Sequence, residues 1–263
     1  MRSVNSSAEG PRFSVCTTNY RCAHALEAHL HSVYEVLEGV SFEYVVVDNY
    51  SRDGSWPILH SWSQSHSNFR AIQRRCAMGV GRNLAVAHST GPLIVIVDTD
   101  VVYHAELPKF IEAWAARYPD VAVQAPFAGL YPRQLWNQVG GRRSLNTYED
   151  VDMWLRIHAL GRMRWCLVPM GSNLKETTAE GGFDHLSGRY PRWEQALRLI
   201  RREWDLWKTR RWAGVDLERI LRENSVDFGF DVPIESWVQN RPRRGVGEES
   251  LMFGRFLFRI LRS

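Results

Sequence analysis

An uninterrupted apolar run that ends in two acids constrains the fold more than any other feature of this chain. Residues 93–97 read LIVIV, and Asp98, Thr99 and Asp100 follow directly. A strand without polar positions is buried on both faces, which is typical of a parallel sheet covered by helices on both sides. We therefore predict an α/β fold in which this strand is central.

Strand and helix signals alternate on either side of this run. Apolar runs predict strands at 13–17, 42–47, 69–73, 121–125 and 163–168. Helical periodicity predicts helices at 26–37, 56–64, 80–88, 107–118 and 148–160. This alternation predicts a doubly wound, mostly parallel sheet whose ligands bind beyond the carboxyl ends of its strands. The Gly- and Arg-rich residues 129–146 are predicted to be loops.

Composition places the chain among globular proteins. It has 263 residues, of which 44% are hydrophobic and 24% charged, enough for one large domain or a domain with an appendage. No apolar run approaches the roughly 20 residues of a membrane span, and the polar start MRSVNSSAEGPR lacks a secretory core. The four cysteines have irregular spacing, so we expect free thiols and a cytoplasmic protein.

Charge is distributed unevenly along the chain. The net charge is +4, and the basic excess lies after residue 188. Only Lys109, Lys175 and Lys208 of the 33 basic residues are lysine. This arginine bias is typical of bidentate phosphate contacts, but a GC-rich genome produces the same bias. Residues 189–263 are therefore predicted to form a basic, helical C-terminal extension.

Two acidic sets are candidates for chemistry. Asp98 and Asp100 follow a buried strand, and hard cations such as Mg²⁺ and Mn²⁺ bind such carboxylates together with substrate phosphates. Glu149, Asp150 and Asp152 begin a predicted helix, whose N-terminus stabilises ionised carboxylates. Asp152 is expected to pair with the arginine at position 156, one helical turn later. Glu149 or Asp150 then remains as a general base.

Four segments, taken in order, resemble one family. FSVCTTNY, VVVDNYSRDGS, GVGRNLAVAHSTGPLIVIVDTD and GGRRSLNTYEDVDMWLRIHALG are similar to successive motifs of inverting family 2 glycosyltransferases with the GT-A fold. The resemblance covers residues 13–168. It implies a catalytic domain at 12–188, with a nucleotide-sugar half at 12–100 and an acceptor half at 101–188.

The resemblance also implies roles for individual residues. Thr18 and Tyr20 match positions that contact the nucleobase, and Arg82 matches an arginine near the nucleotide. Asp48, which ends the second strand, and Asn49 match an acidic pair that reads the base. Since Asn stands where the family has Asp, the donor is left open among UDP-, GDP- and dTDP-linked sugars.

The resemblance also implies which residues bind the metal and which one acts as catalytic base. Asp98 and Asp100 match the family's D-x-D motif, which binds Mn²⁺ or Mg²⁺, and His185 lies where related enzymes place a late metal ligand. Asp150 matches the catalytic base, with Glu149 as the next candidate. The implied reaction inverts the anomeric carbon and glycosylates a hydroxyl of a lipid-linked or cell-surface glycan, such as a polyprenyl-linked acceptor. We expect no nucleic-acid partner.

Three alternatives remain open at this stage. LIVIVDTDVVY also resembles the first motif of haloacid-dehalogenase phosphatases, in which Asp98 would be the nucleophile. GVGRNL partly matches the glycine fingerprint of dinucleotide-binding oxidoreductases, although it lacks the third glycine. The chain could also bind a nucleotide sugar without catalysis, and a donor-hydrolysis assay separates that reading from an enzyme.

Two segments of the extension are amphipathic. An apolar stripe at positions 193, 197, 200, 204 and 207 favours packing on the catalytic domain, with an anionic membrane surface as the alternative for this helix. The segment LMFGRFLFRILRS carries arginines on one face of a mainly apolar helix, which favours peripheral binding to an anionic membrane. The alternative for this last helix is packing against a second copy of the chain in a homodimer.

Overall fold

Strands and helices alternate along the chain, as the apolar patterns predict. The computed structural model describes residues 10–174, 192–212 and 214–229. Within these residues the strands are β1 (Phe13–Asn19), β2 (Phe42–Asp48), β3 (Phe69–Gln73), β4 (Leu93–Val97), β5 (Val101–Tyr103), β6 (Ala122–Ala125), β7 (Ala128–Pro132), β8 (Met163–Trp165) and β9 (Gly171–Asn173). The α-helices are α1 (Ala23–Val36), α2 (Ser55–Ser65), α3 (Met78–Ala87), α4 (Glu106–Arg117), α5 (Arg133–Gln138), α6 (Glu149–His158), α7 (Arg192–Lys208) and α8 (Leu217–Glu223). A 3₁₀ helix spans Arg210–Trp212.

A seven-stranded mixed sheet organises the molecule, in the order β3-β2-β1-β4-β7-β6-β8. The pairs β1–β2, β2–β3, β1–β4 and β6–β8 are parallel, whereas β7 runs antiparallel to both β4 and β6. β5 and β9 form a small separate antiparallel pair. The mostly parallel α/β sheet predicted from the sequence is confirmed.

The strand β4 is buried on both faces because two apolar clusters cover the sheet. All five of its residues are buried. Leu93, Val95 and Val97 belong to the cluster on one face, which includes residues of α1 and α4. Ile94 and Ile96 belong to the cluster on the other face, with residues of α3 and α6. Consequently β4 is anchored on both sides, and the acids that follow it have a fixed position.

The prediction of loops across residues 129–146 is wrong for its first part. β7 and α5 occupy residues 128–138, and β7 lies between β4 and β6. Glycine at position 129 is a residue type common in loops, but here it meets a packing requirement: a Cβ there would lie 2.5 Å from Gln124 Oε1 and 2.6 Å from the Tyr131 ring. Burial between two strands thus outweighs the low strand propensity of glycine.

The prediction that the aromatic stripe of the extension packs on the catalytic domain is wrong for the four stripe residues whose side chains the structure describes. Leu197, Ile200, Trp204 and Trp207 of α7 are exposed. Asp205, Leu206 and Thr209, on the other side of the helix, are buried. The side chain at position 193 and the segment 251–262 lie outside the described residues. No helix in the described ranges has the length and apolarity of a membrane span.

A buried carboxylate joins α6 to the residues that follow α7. Asp152 Oδ2 accepts a hydrogen bond of 2.9 Å from Arg156 Nε, which confirms the predicted pair. Its Oδ1 accepts from Arg211 Nη2 at 2.8 Å and from Trp212 Nε1 at 2.9 Å. Burial by itself raises the pKa of Asp152, but the bond from Trp212 and the charges of Arg156 and Arg143 hold it below its ordinary value.

Replacement of Asp152 by alanine is expected to lower the free energy of unfolding by about 2–3 kcal/mol. Loss of a buried ion-pair partner costs about 3–5 kcal/mol, and the value is reduced here because Arg143 and Arg211 are partly exposed and can rehydrate. Since folding lowers the pKa of Asp152, its contribution should be lost as the pH falls through the lowered value. Urea unfolding between neutral and acidic pH measures both effects.

The matched control is Glu218→Ala, which removes an exposed pair with Arg222 on α8. An exposed pair at this spacing contributes about 0.3–0.5 kcal/mol. Equal losses for Asp152→Ala and Glu218→Ala would contradict the role of Asp152 as a buried junction.

Candidate active site

The predicted donor-side residues lie where three parallel strands end. Thr18 is in β1 and Tyr20 directly follows it, while Asp48 ends β2 and Asn49 follows. The register pairs Asn19 of β1 with Asp48 of β2, so both strands end at the same level. β4 runs parallel to β1. The acids after β4 therefore share this edge of the sheet.

Asp48 organises the ends of the strands around it. Its Oδ1 accepts hydrogen bonds from Asn19 Nδ2 at 2.8 Å and Ser51 Oγ at 2.6 Å. Its Oδ2 accepts from Ser51 N at 3.0 Å and Gln73 Nε2 at 3.2 Å. Asn49 uses its Oδ1 to accept from the backbone of Cys76 at 3.1 Å. Both side chains thus fix loops beside the edge, and base recognition by Asp48 would require its oxygens to share these bonds.

The other two donor-side residues lie close to helices. A Cβ at Gly81 of α3 would be 2.4 Å from Thr18 Cγ2, so only glycine permits this approach of α3 to the end of β1. The Tyr20 ring contacts two guanidinium groups, Arg21 at 5.3 Å and Arg198 of α7 at 5.5 Å from its centroid. α7 therefore reaches the donor side of the edge.

Arg82 connects the acid after β4 to the start of α6. Its Nη2 donates to Asp98 Oδ1 at 2.6 Å, and its Nη1 donates to Glu149 Oε1 at 2.5 Å. Arg82 belongs to α3, and its side chain is buried in the protein. Arg82 thus joins the first acid of the predicted D-x-D motif, Asp98, to the first acid of α6, Glu149.

Glu149 and Asp150 are adjacent in sequence but differ in their surroundings. Glu149 is buried and pairs with Arg142 Nη1 at 2.9 Å in addition to Arg82. Burial and the charge of Asp150 raise the pKa of Glu149, and both arginines oppose this shift. Asp150 is half-buried, and its Oδ1 accepts from the backbone N–H of Val151 at 2.7 Å. Glu149 is thus committed to ion pairs, whereas Asp150 is accessible.

The backbone turns sharply just before these acids. Tyr148, the residue that caps α6, has φ of 59°, a left-handed conformation that is uncommon for a bulky side chain. The preceding loop is fixed at several points: Asn146 Oδ1 accepts from Met78 N at 3.2 Å, and Asp205 Oδ2 accepts from the backbone N–H groups of Asn146 and Thr147 at 2.8 and 3.2 Å. The start of α6 is therefore held by α3 and α7 together.

The backbone of Asp98 is held by a tyrosine. Its N–H donates to the Tyr103 hydroxyl at 3.0 Å, and that hydroxyl donates to the carbonyl of Phe127 at 2.6 Å. The Asp98 side chain keeps 40% exposure. Burial raises its pKa above the ordinary value, Arg82 opposes this shift, and Asp100 adds to it. Asp98 and Asp100 are thus close enough to interact.

Sequence reasoning missed three residues of this site. Arg142 lies in the segment GGRRSLN, and an arginine seven residues before a pair of acids was an available signal. Tyr103 and Asp205 had no such signal, because their roles depend on contacts across distant parts of the chain. His185 lies outside the described residues, and its metal-binding role remains a prediction.

Comparison with known proteins identifies the family. The model of "Glycosyl transferase family 2" matches residues 14–167, more than half of the chain. The chain belongs to glycosyl transferase family 2. Its structure is similar to the mannosyltransferase PcManGT from Pyrobaculum calidifontis in complex with GDP-Man and Mn²⁺, at 20% identity and a TM-score of 0.56, covering 76% of this chain and 65% of that one.

A second structural neighbour of this family 2 protein is S. aureus TarS 1-349 in complex with UDP-GlcNAc. The identity is 18% and the TM-score 0.54, with 68% of this chain and 62% of that chain covered. At such identities the likeness shows the GT-A fold alone, and this chain spans less than two thirds of either neighbour's length.

The dehalogenase alternative requires its aspartate after the first strand of the sheet, whereas Asp98 follows the fourth strand in the chain.

The family implies a divalent metal, and the chemistry of the donor set fits one. Asp98 and Asp100 offer carboxylate oxygens, and Mg²⁺ or Mn²⁺ is commonly held by one or two carboxylates with substrate phosphates completing the shell. Over the described ranges, three or more His, Cys, Asp or Glu side chains do not converge as a ready-made metal site. The acids therefore suit a metal that binds together with a nucleoside diphosphate.

The contrast between the two adjacent acids of this family 2 protein generates a stability prediction. Glu149→Gln leaves Arg82 and Arg142 buried with less negative charge, so we expect a loss of about 3 kcal/mol in the free energy of unfolding. Asp150→Asn, at a half-buried position with no ion pair to another described residue, should cost less than about 1 kcal/mol. Urea unfolding of the two carboxamide variants measures the difference, and equal losses would refute the assignment of separate roles.

Proposed function

We propose that this family 2 protein is a metal-dependent, inverting glycosyltransferase that moves a hexose from a nucleotide diphosphate to an acceptor hydroxyl. One observation carries the proposal. Arg82 holds Asp98 beside Glu149, and Glu149 is buried in ion pairs, which leaves Asp150 as the more accessible of the two acids that begin α6. Donor-binding acids and a separate base are thus adjacent.

On the donor side, the ends of β1 and β2 form the nucleoside region. Thr18, Tyr20, Asp48 and Asn49 border it, and the first acid of the D-x-D motif lies at the end of the neighbouring β4. A Mn²⁺ or Mg²⁺ ion held by Asp98 and Asp100 would supply positive charge to the departing diphosphate. The neighbours' complexes with GDP-Man and UDP-GlcNAc support a nucleotide-sugar donor but leave the base open.

On the acceptor side, Asp150 serves as general base. Its carboxylate takes the proton of the acceptor hydroxyl while that oxygen forms a bond to the anomeric carbon. The bond from the anomeric carbon to the diphosphate oxygen breaks, and the nucleoside diphosphate leaves with the electron pair. Because attack and departure occur on opposite faces of one carbon, a single displacement inverts it.

Glu149 is the weaker candidate for the base. Both of its short contacts are to guanidinium groups, so this buried carboxylate is engaged in ion pairs rather than presented to a substrate. Its function in the proposal is to orient Arg82 and Arg142. The proposed acceptor is a lipid-linked or cell-surface glycan, with a polyprenyl-linked sugar as the specific case.

The base assignment predicts a selective loss of turnover. Asp150→Asn should lower kcat at least about 10²-fold, the low end for general base catalysis, while the affinity for the nucleoside diphosphate stays nearly unchanged. Donor hydrolysis and transfer assays with UDP-, GDP- and dTDP-sugars measure the rate, and isothermal titration measures the affinity. Turnover near that of the unmodified protein would exclude Asp150.

The metal assignment predicts a selective loss of binding. Asp100→Ala should abolish the Mn²⁺-dependent part of nucleoside diphosphate affinity with little change in folding. Glu112→Ala, which removes an exposed acid of α4, is the matched control. Isothermal titration with and without Mn²⁺ gives the result, and unchanged Mn²⁺-dependent affinity in folded Asp100→Ala protein would overturn the metal site. If no donor turns over although nucleotides bind, the non-catalytic alternative is favoured.

A further inference from the structure

The two faces of α7 differ in what they contact. One face bears Arg198, which stacks on Tyr20, and Asp205, which holds the loop before α6. Leu206 and Thr209 on the same side are buried. The orientation of the helix against the active site is therefore fixed by polar bonds and by packing.

The opposite face of α7 carries an exposed apolar stripe. Leu197, Ile200, Trp204 and Trp207 follow each other at spacings of three, four and three residues, so they share one side of the helix. They are 42–59% exposed. The two indole rings stack at 4.9 Å between centroids and form a continuous flat surface. Large aromatic side chains exposed in a row mark an interaction surface.

Cations border this stripe. Lys208 Nζ lies 5.8 Å from the Trp204 ring centroid, and the Arg210 guanidinium lies 4.2 Å from that of Trp207. Arg201 is exposed next to the stripe. Glu203 lies on the other flank and is partly buried. The border is thus mainly positive on the side of the indole rings.

The cationic border continues into a groove of about 620 Å³. Arg143, Lys208, Arg210 and Arg211 line it together with Trp207. The buried Asp152 is shared among Arg143, Arg156 and Arg211, so these side chains keep excess positive charge. A groove of this size and charge fits a phosphate head group beside the indole ring.

We propose that the exposed face of α7 docks on an anionic lipid surface, with the indole rings in the interface and the surrounding cations on phosphate head groups. A helix with an aromatic face and Lys or Arg beside it binds such surfaces by apolar burial and by charge. The occupant is a membrane rather than a second copy of the chain, since a symmetric dimer would bring the same cations together. Residues 241–263 are an unfavourable cover for the same reason, because they hold six arginines and two glutamates.

A membrane-binding face on α7 would bring the active site to the acceptor, and this use of the face rests on the proposed glycosyltransferase function. An α-helix with its side chains is about 10 Å across. A membrane on one face of α7 would therefore lie close to Tyr20 and to the loop before Asp150 on the other face. An acceptor hydroxyl on a lipid-linked sugar would then enter the site from the bilayer surface.

Vesicle co-sedimentation of the full chain, without donor, tests the surface. Vesicles of phosphatidylcholine with phosphatidylglycerol are compared with pure phosphatidylcholine, at low and high salt. The Trp204→Ser, Trp207→Ser double variant should bind the anionic vesicles at least about tenfold more weakly. Leu197→Ser should also weaken binding, whereas Leu160→Ser, at a similarly exposed leucine away from α7, should not.

Charge variants provide the second arm. Arg201→Gln with Arg210→Gln should reduce binding to anionic vesicles at least about tenfold and change binding to neutral vesicles little. The matched control is Arg219→Gln with Arg222→Gln, two exposed arginines of α8. Nucleoside diphosphate affinity should be unchanged in every variant, and thermal melting should shift by no more than the loss of exposed ion pairs allows, which separates a failure here from a failure of the glycosyltransferase proposal.

Two results would overturn the docking face. One is equal binding of the unmodified protein and the Trp204→Ser, Trp207→Ser variant to anionic vesicles. The other is a dimer of the unmodified chain, measured by light scattering during size-exclusion chromatography, that the same variant converts to a monomer. In that case the stripe is an interface between copies of the chain.

Discussion

The ion pairs of one buried arginine connect the two halves of this active site. Arg82 projects from α3 and binds the acid that directly follows β4 as well as the first acid of α6. These segments are distant in sequence, and a buried guanidinium requires both negative partners to be in place. The relative position of the D-x-D motif and the proposed base therefore depends on Arg82 more than on any direct contact between them.

The division of labour between Glu149 and Asp150 follows from this arrangement. Arg142 and Arg82 both bind the first acid, and the left-handed backbone of Tyr148 sets the direction in which α6 begins. The second acid, Asp150, is half-buried, and among the described residues its side chain has one hydrogen bond, from the backbone of Val151. α7 contributes to the same geometry through Asp205, which fixes the loop before α6. The extension is thus part of the site's support.

Much of the fold could be predicted from the sequence, because its signals were local. The LIVIV run, the acids after it and the helical periodicities all correspond to observed elements, and Asp152 pairs with Arg156 as their spacing indicated. Gly129 misled the prediction because its requirement comes from the neighbouring Gln124 and Tyr131 in the folded sheet.

The apolar stripe of α7 is exposed although its helical spacing predicts burial, and the physical reason is different from that at Gly129. A stripe at helical spacing shows that one side of a helix is apolar, but not whether the folded chain covers that side. Asp205 and Arg198 decide the orientation through bonds to distant residues, and they turn the indole rings outward. The ion-pair network of Arg82 could not be predicted from the sequence either, since no local pattern indicates which acids a buried arginine will bind.

A crystal structure with Mn²⁺ and whichever of UDP, GDP or dTDP raises the melting temperature most tests the separate roles of these acids directly. We expect the metal on Asp98 and Asp100, Glu149 still bound to Arg82 and Arg142, and Asp150 facing the space beyond the terminal phosphate. A structure in which Glu149 has left both arginines and faces that space, with Asp150 turned away, would contradict it.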